Sequence, residues 1–548
     1  MMVVIFSLLA GVIYLGIRGF APDILGLEKF MDFGFIRSYM ENSGFPTLDP
    51  WWAGEKINYY TFGHFLAGKF LWITRIPPGI GYNVILAIIF GLSCGLTYTI
   101  VNLLVGKTKR TFKMVLASLT GVFLVMVGGN SHGLWYLIKN RGLANYWYAD
   151  QTRFIQNTIH EFPSYSFVVS DLHAHVLSLP MVLLFILLIV FFVQGKRINL
   201  VTALMGVVMG MLLMTNTWDF LVYGILLVVT SGLLLMTRKR KLLELLIRGV
   251  GIVIVASLVS APWWWSFESI SSGLRWVSAD MRTPIWQLVV LWGGHLIIVF
   301  MAMVANIKHR SVVIWALCIT AIILIALPEF IYFKDIYPNH QRANTMFKFT
   351  YQAFIMLGLV GGWTAFQITQ IKNVYRRIGT TLILVGLIGV FGIFPVKAYP
   401  NFYGEFKSFK GIDGLTWLRE RYPDDSKIIE YLIKNKDEKN MVEAIGDSYT
   451  EYNFIPAFSG VPTVVGWRVH EWLWRGTYDI VSKREQEVKE IYETKNETRR
   501  LELIKKYNLG WIVIGTRERQ QFKINTEGIK KVSGRVVNAG VEELWKVK

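Results

Sequence analysis

Residues 28–66 read E-K-F-M-D-F-G-F-I-R-S-Y-M-E-N-S-G-F-P-T-L-D-P-W-W-A-G-E-K-I-N-Y-Y-T-F-G-H-F-L, and the fold turns on how this stretch is read. It follows a first apolar run and cannot itself cross a membrane. It holds Glu28, Asp32, Arg37, Glu41, Asp49, Glu55, Lys56 and His64 among Trp51, Trp52, Tyr59 and Tyr60. A loop that only joined two helices needs no such density of carboxylates, aromatics and glycines. The stretch reads as a place where polar groups are handled at a lipid surface. Overlapping it, F-G-H-F-L-A-G-K-F-L-W-I-T-R-I at 62–76 sets the topology. Taken as a span, it would invert everything after it. Taken as a re-entrant or interfacial helix, with Lys69 and Arg75 near the headgroups, it leaves every later basic cluster on one side.

The rest of the chain is that of a membrane protein. Of 548 residues, 53% are hydrophobic and only 17% charged, with a mean hydropathy of +0.41; soluble proteins carry about 25% charged residues. Apolar runs occur near 3–19, 83–105, 113–128, 177–194, 199–214, 219–236, 246–261, 286–306, 312–328, 351–367 and 379–396, about eleven spans. The first lacks a basic n-region and a cleavage site, so it reads as a retained span or signal anchor behind which a longer natural N-terminus is expected. Lys107, Lys109, Arg110 and Lys113, then Lys196 and Arg197, Arg238–Lys241, Lys308 and Arg310, and Lys372, Arg376 and Arg377 follow alternate runs. By the positive-inside rule that side is cytoplasmic, giving a multi-pass protein of the cell membrane with its N-terminus in and C-terminus out. The net charge of +19 therefore belongs to topology and headgroups, and nucleic acid is disfavoured as a partner. Cys94 and Cys318 lie inside apolar runs and read as core residues.

The expected architecture is a polytopic α-helical membrane domain, 1–396, with outer loops at 20–82, 129–176, 262–285 and 329–350, and an extracytoplasmic α/β domain at 397–548. In the tail, K-N-M-V-E-A-I and G-W-I-V-I-G read as buried strands. S-K-R-E-Q-E-V-K-E-I-Y-E-T and E-T-R-R-L-E-L-I-K-K-Y read as amphipathic helices.

With this topology the chemistry-bearing residues collect on one face. The first loop gives Asp32, Asp49, Glu55 and His64; the second gives Glu161, Asp171, His173 and His175. The third gives Glu268, Arg275, Asp280 and Arg282, and the fourth Asp335, His340, Arg342, Asn344 and Lys348. Asn216 and Asp219 lie at an outer turn. Carboxylates, imidazoles and cations together suit acid/base and anion-binding chemistry. Asp32 has the strongest case as a base, against a helix-capping role. D-L-H-A-H resembles a metal pair, but residues two apart on a helix point in different directions. Capping and hydrogen bonding with Asp171 is the plainer reading. W-W-W at 263–265 reads as an interfacial belt before a sugar platform. Arg342 and Lys348 suit headgroup snorkelling and phosphate binding equally.

Together these segments resemble a known family. M-D-F-G-F-I, F-P-T-L-D-P-W-W-A-G-E-K-I-N-Y-Y-T-F-G-H, F-P-S-Y-S-F-V-V-S-D-L-H-A-H-V-L-S-L-P, N-T-W-D-F and R-A-N-T-M-F-K-F are similar to the archaeal and bacterial YYY membrane proteins. So are E-A-I-G-D-S-Y-T-E-Y-N and G-V-P-T-V-V-G-W-R-V-H-E-W-L-W-R-G in the tail. N-Y-Y-T carries threonine where the family name implies a third tyrosine. That family resembles in layout the C-type (GT-C) glycosyltransferases, which take sugar from polyprenyl-phosphate carriers. The resemblance implies inverting hexosyl or pentosyl transfer to a glycan, lipid or protein acceptor. Asp32 would be the base, with Asp49 and Asp171 as alternatives. Arg342, Lys348 and His340 would hold the donor phosphate. Trp51, Trp52, Glu55, Asn58, Tyr59, Tyr60, His64, His173, His175 and Asn344 would line the substrate site. A divalent metal (Mg or Mn) fits some C-type enzymes, yet the first loop has no D-x-D; no ATP or NAD fingerprint is present. The rival readings are a transporter, which would place charges within spans and show half-chain repeats, and a non-catalytic scaffold of a cell-envelope assembly.

Overall fold

The computed structural model describes residues 2–106, 111–268, 273–334 and 340–548. Among them, nine helices are long and apolar enough to cross a bilayer, from Pro78–Val105 to Val374–Phe402. The bent pair Phe112–Val127 and His132–Asn140, meeting at 71°, makes a tenth if counted as one span. Met2–Arg18 is a shorter apolar helix of 17 residues. Each apolar run in the sequence coincides with one of these helices. Phe62–Thr74 has 13 residues, about 20 Å of helix against a hydrocarbon core of roughly 30 Å. It is too short to span, and it ends where Arg75 turns left-handed at φ 58°.

Ala343–Thr369 is the central helix, 94% buried over its apolar window, whereas Leu242–Trp264 and Val374–Phe402 are only 17% buried. Their outer faces are Leu, Ile and Val, as a lipid-facing surface requires. Small residues set the closest crossings. A Cβ on Gly362 would meet Gly121 Cα at 2.8 Å, and one on Gly11 would meet Ala87 O at 2.9 Å. Lys113 and Arg377, from two of the basic clusters, line one groove of about 460 Å³.

Strands β1 (Leu274–Trp276) and β2 (Ile331–Phe333) pair antiparallel and join two of the long loops. The tail carries β3 (Asn440–Val442), β4 (Leu509–Ile514), β5 (Ser533–Ala539) and β6 (Glu542–Val547), ordered β3-β4-β6-β5. The β3–β4 pair is parallel and the others antiparallel. Both expected strands and both expected helices, Tyr478–Glu493 and Glu497–Lys506, form.

Between bundle and tail lies the helix Lys29–Glu41, buried on every side from Lys29 to Tyr39. It has almost no polar face because it has no solvent face. Phe30 packs on Trp417, Phe454, Phe458 and Trp467, and a Cβ on Gly34 would meet Ala457 at 3.3 Å. The bundle core therefore continues into the tail.

Candidate active site

A cavity of about 820 Å³ opens where four loops and the tail meet. Helix Lys29–Glu41 brings the first groups. Gly26 (φ 78°) and Leu27 (φ 51°) turn the chain into it, leaving Glu28 at the N-cap position. Asp32 stands one turn on, on the same face, in the first turn where the helix dipole favours an anion. In the second loop, helix Pro163–Val169 stops at left-handed Ser170 (φ 57°). The extended residues that follow aim His173 at the two carboxylates.

The result is an alternating row of imidazoles and carboxylates. His64 Nε2 lies 2.8 Å from Asp32 Oδ1. His173 Nδ1 lies 3.3 Å from the same oxygen and 3.2 Å from Glu28 Oε2. His470 Nε2, from the tail, lies 3.1 Å from Glu28 Oε1. Tyr59 OH meets His173 Nε2 at 3.2 Å. Burial pushes the Asp32 carboxyl up, but His173 and His64 outweigh it and hold the group below the ordinary carboxylate range. Burial likewise works against Glu28, which His173 and His470 hold ionised far below its usual value. Burial opposes the His173 charge, yet Glu28 and Asp32 raise it to about 10. Burial lowers His64 despite Asp32, so His64 is the neutral member. Asp171 is different: burial, then the Asp32 charge, push it up to about 8, and its Oδ1 has no hydrogen-bond partner.

Glu28, Asn58, Tyr59, Tyr60, Asp171, His173, His175, His340, Asn344 and Lys348 all line the cavity. Tyr59 and Tyr60 stack at 3.8 Å. Lys348 is buried with its ammonium over the rings of Phe347 and Tyr60, at 4.9 and 5.8 Å. Phe220, Leu221, Phe333 and Phe347 form an apolar wall.

Glu161 and Glu268 line the cavity too, and several other sequence candidates sit elsewhere. Asp32 and His64 are fully buried one layer behind the wall. Arg342 is also off the wall, spent on Glu329 (2.8 Å), Pro328 O and Thr283. Asp49, Trp51, Trp52 and Glu55 face the tail. Arg475 bridges Asp49, Glu55 and Glu471 at 3.0–3.1 Å, Arg484 and Arg475 cover the Trp52 ring, and Trp51 packs at a tilt on Trp467 with ring centroids 4.7 Å apart. His173 and His175 do not bond Asp171: the first takes Glu28 and Asp32, and the second takes Ser166 at 3.1 Å. The W-W-W run divides, with Trp263 buried under Tyr59 O and Trp265 86% exposed. Asp335 lies outside the described residues. Tyr449 and Trp474 also line the wall, as does Glu28, which the sequence places in the first loop but assigns no role. Only Glu28 had a signal, its four-residue spacing from Asp32.

Over residues 1–315 and 305–357 the sequence matches the model of a family described as "Uncharacterized membrane protein (DUF2298)". The chain belongs to this family. No curated protein matches it. Among solved structures, this DUF2298 protein is similar to the Archaeoglobus fulgidus oligosaccharyltransferase in complex with Zn and sulfate. The TM-score is 0.50 at 14% identity, over 93% of this chain and 67% of that one. ArnT from Cupriavidus metallidurans in the apo state gives 0.49 at 11%, over 99% and 97%. The A. fulgidus oligosaccharyltransferase AglB with an inhibitory peptide and a dolichol-phosphate gives 0.40 at 13%, over 97% and 72%. The DUF2298 chain thus has the fold of the C-type glycosyltransferases, as the sequence resemblance implied.

The Zn belongs to that neighbour's crystal. Here no group of three or more His, Cys, Asp or Glu among the described residues is placed to hold a metal ion. Glu28 and Asp32 are turned to imidazoles instead. Carboxylates already paired with imidazoles do not fit Mg or Mn.

Proposed function

We propose that this chain transfers a sugar, with inversion, from a polyprenyl-phosphate-linked donor to an acceptor hydroxyl in the 820 Å³ cavity. The observation that carries the reading is one cavity holding both a carboxylate with an unpartnered oxygen, Asp171, and a buried ammonium, Lys348. The fold supports it. The cavity faces the extracytoplasmic side, opposite the basic clusters.

In this reading the acceptor oxygen attacks the anomeric carbon and its proton passes to Asp171. The bond from that carbon to the phosphate oxygen breaks, and polyprenyl phosphate leaves with the electron pair. A base near 8 is matched to that task, whereas Glu28, held by several donors, is a poor base and instead orients the hydroxyl. Lys348 stabilises the charge growing on the phosphate, with His340 and Asn344 beside it. Tyr59 and Tyr60 offer a stacked face to the sugar, and the apolar wall takes the first isoprene units. Asp32 acts from behind, fixing His173 between itself and Glu28. The base moves from Asp32 to Asp171 because only the latter reaches the wall.

The test offers purified protein in lipid a panel of polyprenyl-phosphate hexoses and pentoses and measures released polyprenyl phosphate. Release by wild type that falls about 100-fold or more in Asp171→Asn supports the reading. Turnover of no donor, or an unchanged Asp171→Asn, refutes it.

A further inference from the structure

Glu28 is gripped from two domains. His173, from the membrane domain, takes Oε2, while His470 and Tyr449, from the tail, take Oε1 at 3.1 and 3.2 Å. His470 is 2% exposed and sits 442 residues along the chain from Glu28. Its ring packs against Trp467, Trp474 and Tyr449, with centroids 5.3–5.4 Å away. Ser448 Oγ lies 2.6 Å from Nδ1. With the hydroxyl donating to Nδ1, the Nε2–H is committed to Glu28. Its helix, Arg468–Arg475, is pinned at the far end as well, by Arg475 on Asp49, Glu55 and Glu471. The imidazole is therefore delivered to the cavity by the tail, whose core is continuous with that of the bundle.

We propose that His470 is a positioning residue for glycosyl transfer, holding Glu28 Oε1 so that the tail completes the active site. This rests on the function proposed above. Glu28 is faced by His173 and Asp171 from the second loop, by Asp32 on its own helix, by Lys348 from the central helix, and by Tyr449 and His470 from the tail. Removing one donor from this set raises the Glu28 pKa and leaves its carboxylate free to swing.

The experiment uses the full chain in lipid and compares His470→Ala with His470→Gln, whose side-chain amide places an N–H where Nε2–H stood. In His470→Ala, kcat falls about tenfold with donor KM within twofold, while the acid limb of kcat, set by Asp171, stays in place. His470→Gln recovers most of the lost kcat. Isotope-edited infrared titration of the Glu28 carboxylate shows its midpoint moved up by about one pH unit, without any need for turnover. Should His470→Ala unfold the tail, Ser448→Ala, which leaves the ring in place, gives a smaller shift of the same sign. A Glu28 midpoint that stays put in these variants overturns the proposal, as does a His470→Gln protein that melts like wild type yet turns over no better than His470→Ala. If wild type turns over no donor, the glycosyl-transfer reading fails and the infrared titration alone decides whether His470 positions Glu28.

Discussion

The first loop contains two arms of nearly the same chemistry and opposite use. The arm around Glu28 and Asp32 meets His173 and His64 and stands against an open cavity. The arm around Asp49, Trp51, Trp52 and Glu55 meets Arg475, Arg484 and Trp467, and the tail covers all of it but Glu55, which stays exposed. In the first, carboxylates face imidazoles, whose charge is adjustable near neutral pH. In the second they face guanidinium groups, whose charge is fixed and whose planar fork locks geometry. Burial raises Asp49, and pushes Glu471 up to about 8, despite Arg475. A buried carboxylate is thus not a site by itself. The kind of partner, and whether the group lines a cavity, separates chemistry from docking.

The contrast breaks first at Lys348. Lys348→Met removes the buried ammonium from the wall and lowers turnover about 100-fold, with KM for the donor rising and the melting temperature close to wild type. An equal loss in an Arg342→Met protein that still folds like wild type would shift the anion site to the residue the structure spends on Glu329.

The pH dependence comes next. Asp171 works as a base only when ionised, so turnover rises about tenfold per unit below its pKa of about 8 and levels above it. Stability runs the other way. Asp171 and His173 both bind protons more tightly folded than unfolded, so stability falls from about pH 4 to 8 for Asp171 and from about 6.5 to 10 for His173. Melting curves across pH 5–9 check the sign.

On the docking arm, Arg475→Ala leaves Asp49 and Glu471 buried without their cation. That costs about 3 kcal/mol of stability, read as a lower melting temperature, while turnover per folded molecule falls less than in His470→Ala, because Ser448 and Glu28 still hold the His470 ring. The smallest effect belongs to Trp265→Ser, on a ring 86% exposed, with turnover and melting both unchanged.

Much of this was legible in the sequence, for physical reasons. Spans follow from length and apolarity, and the 62–76 helix was separated from them by where the lysines and arginines fall. Asp171, His173, Tyr59, Tyr60 and Lys348 could be placed at one end of the bundle because topology sorts loops by side. What stayed hidden was pairing. Nothing local to Asp49 tells of Arg475, 426 residues away. D-L-H-A-H suggested internal bonding, whereas Ser170 turns the chain so that His173 reaches Glu28 and Asp32. Nothing local to His470 tells that it reaches Glu28, 442 residues away, while its neighbours Glu471 and Arg475 pair with each other.

The most direct measurement sets Asp171→Asn against Asp49→Asn in the same lipid vesicles, scoring polyprenyl phosphate released per folded molecule. The predicted result is turnover lost with melting retained for Asp171→Asn, and turnover retained with melting lowered for Asp49→Asn. Turnover lost in Asp49→Asn but kept in Asp171→Asn would contradict the account.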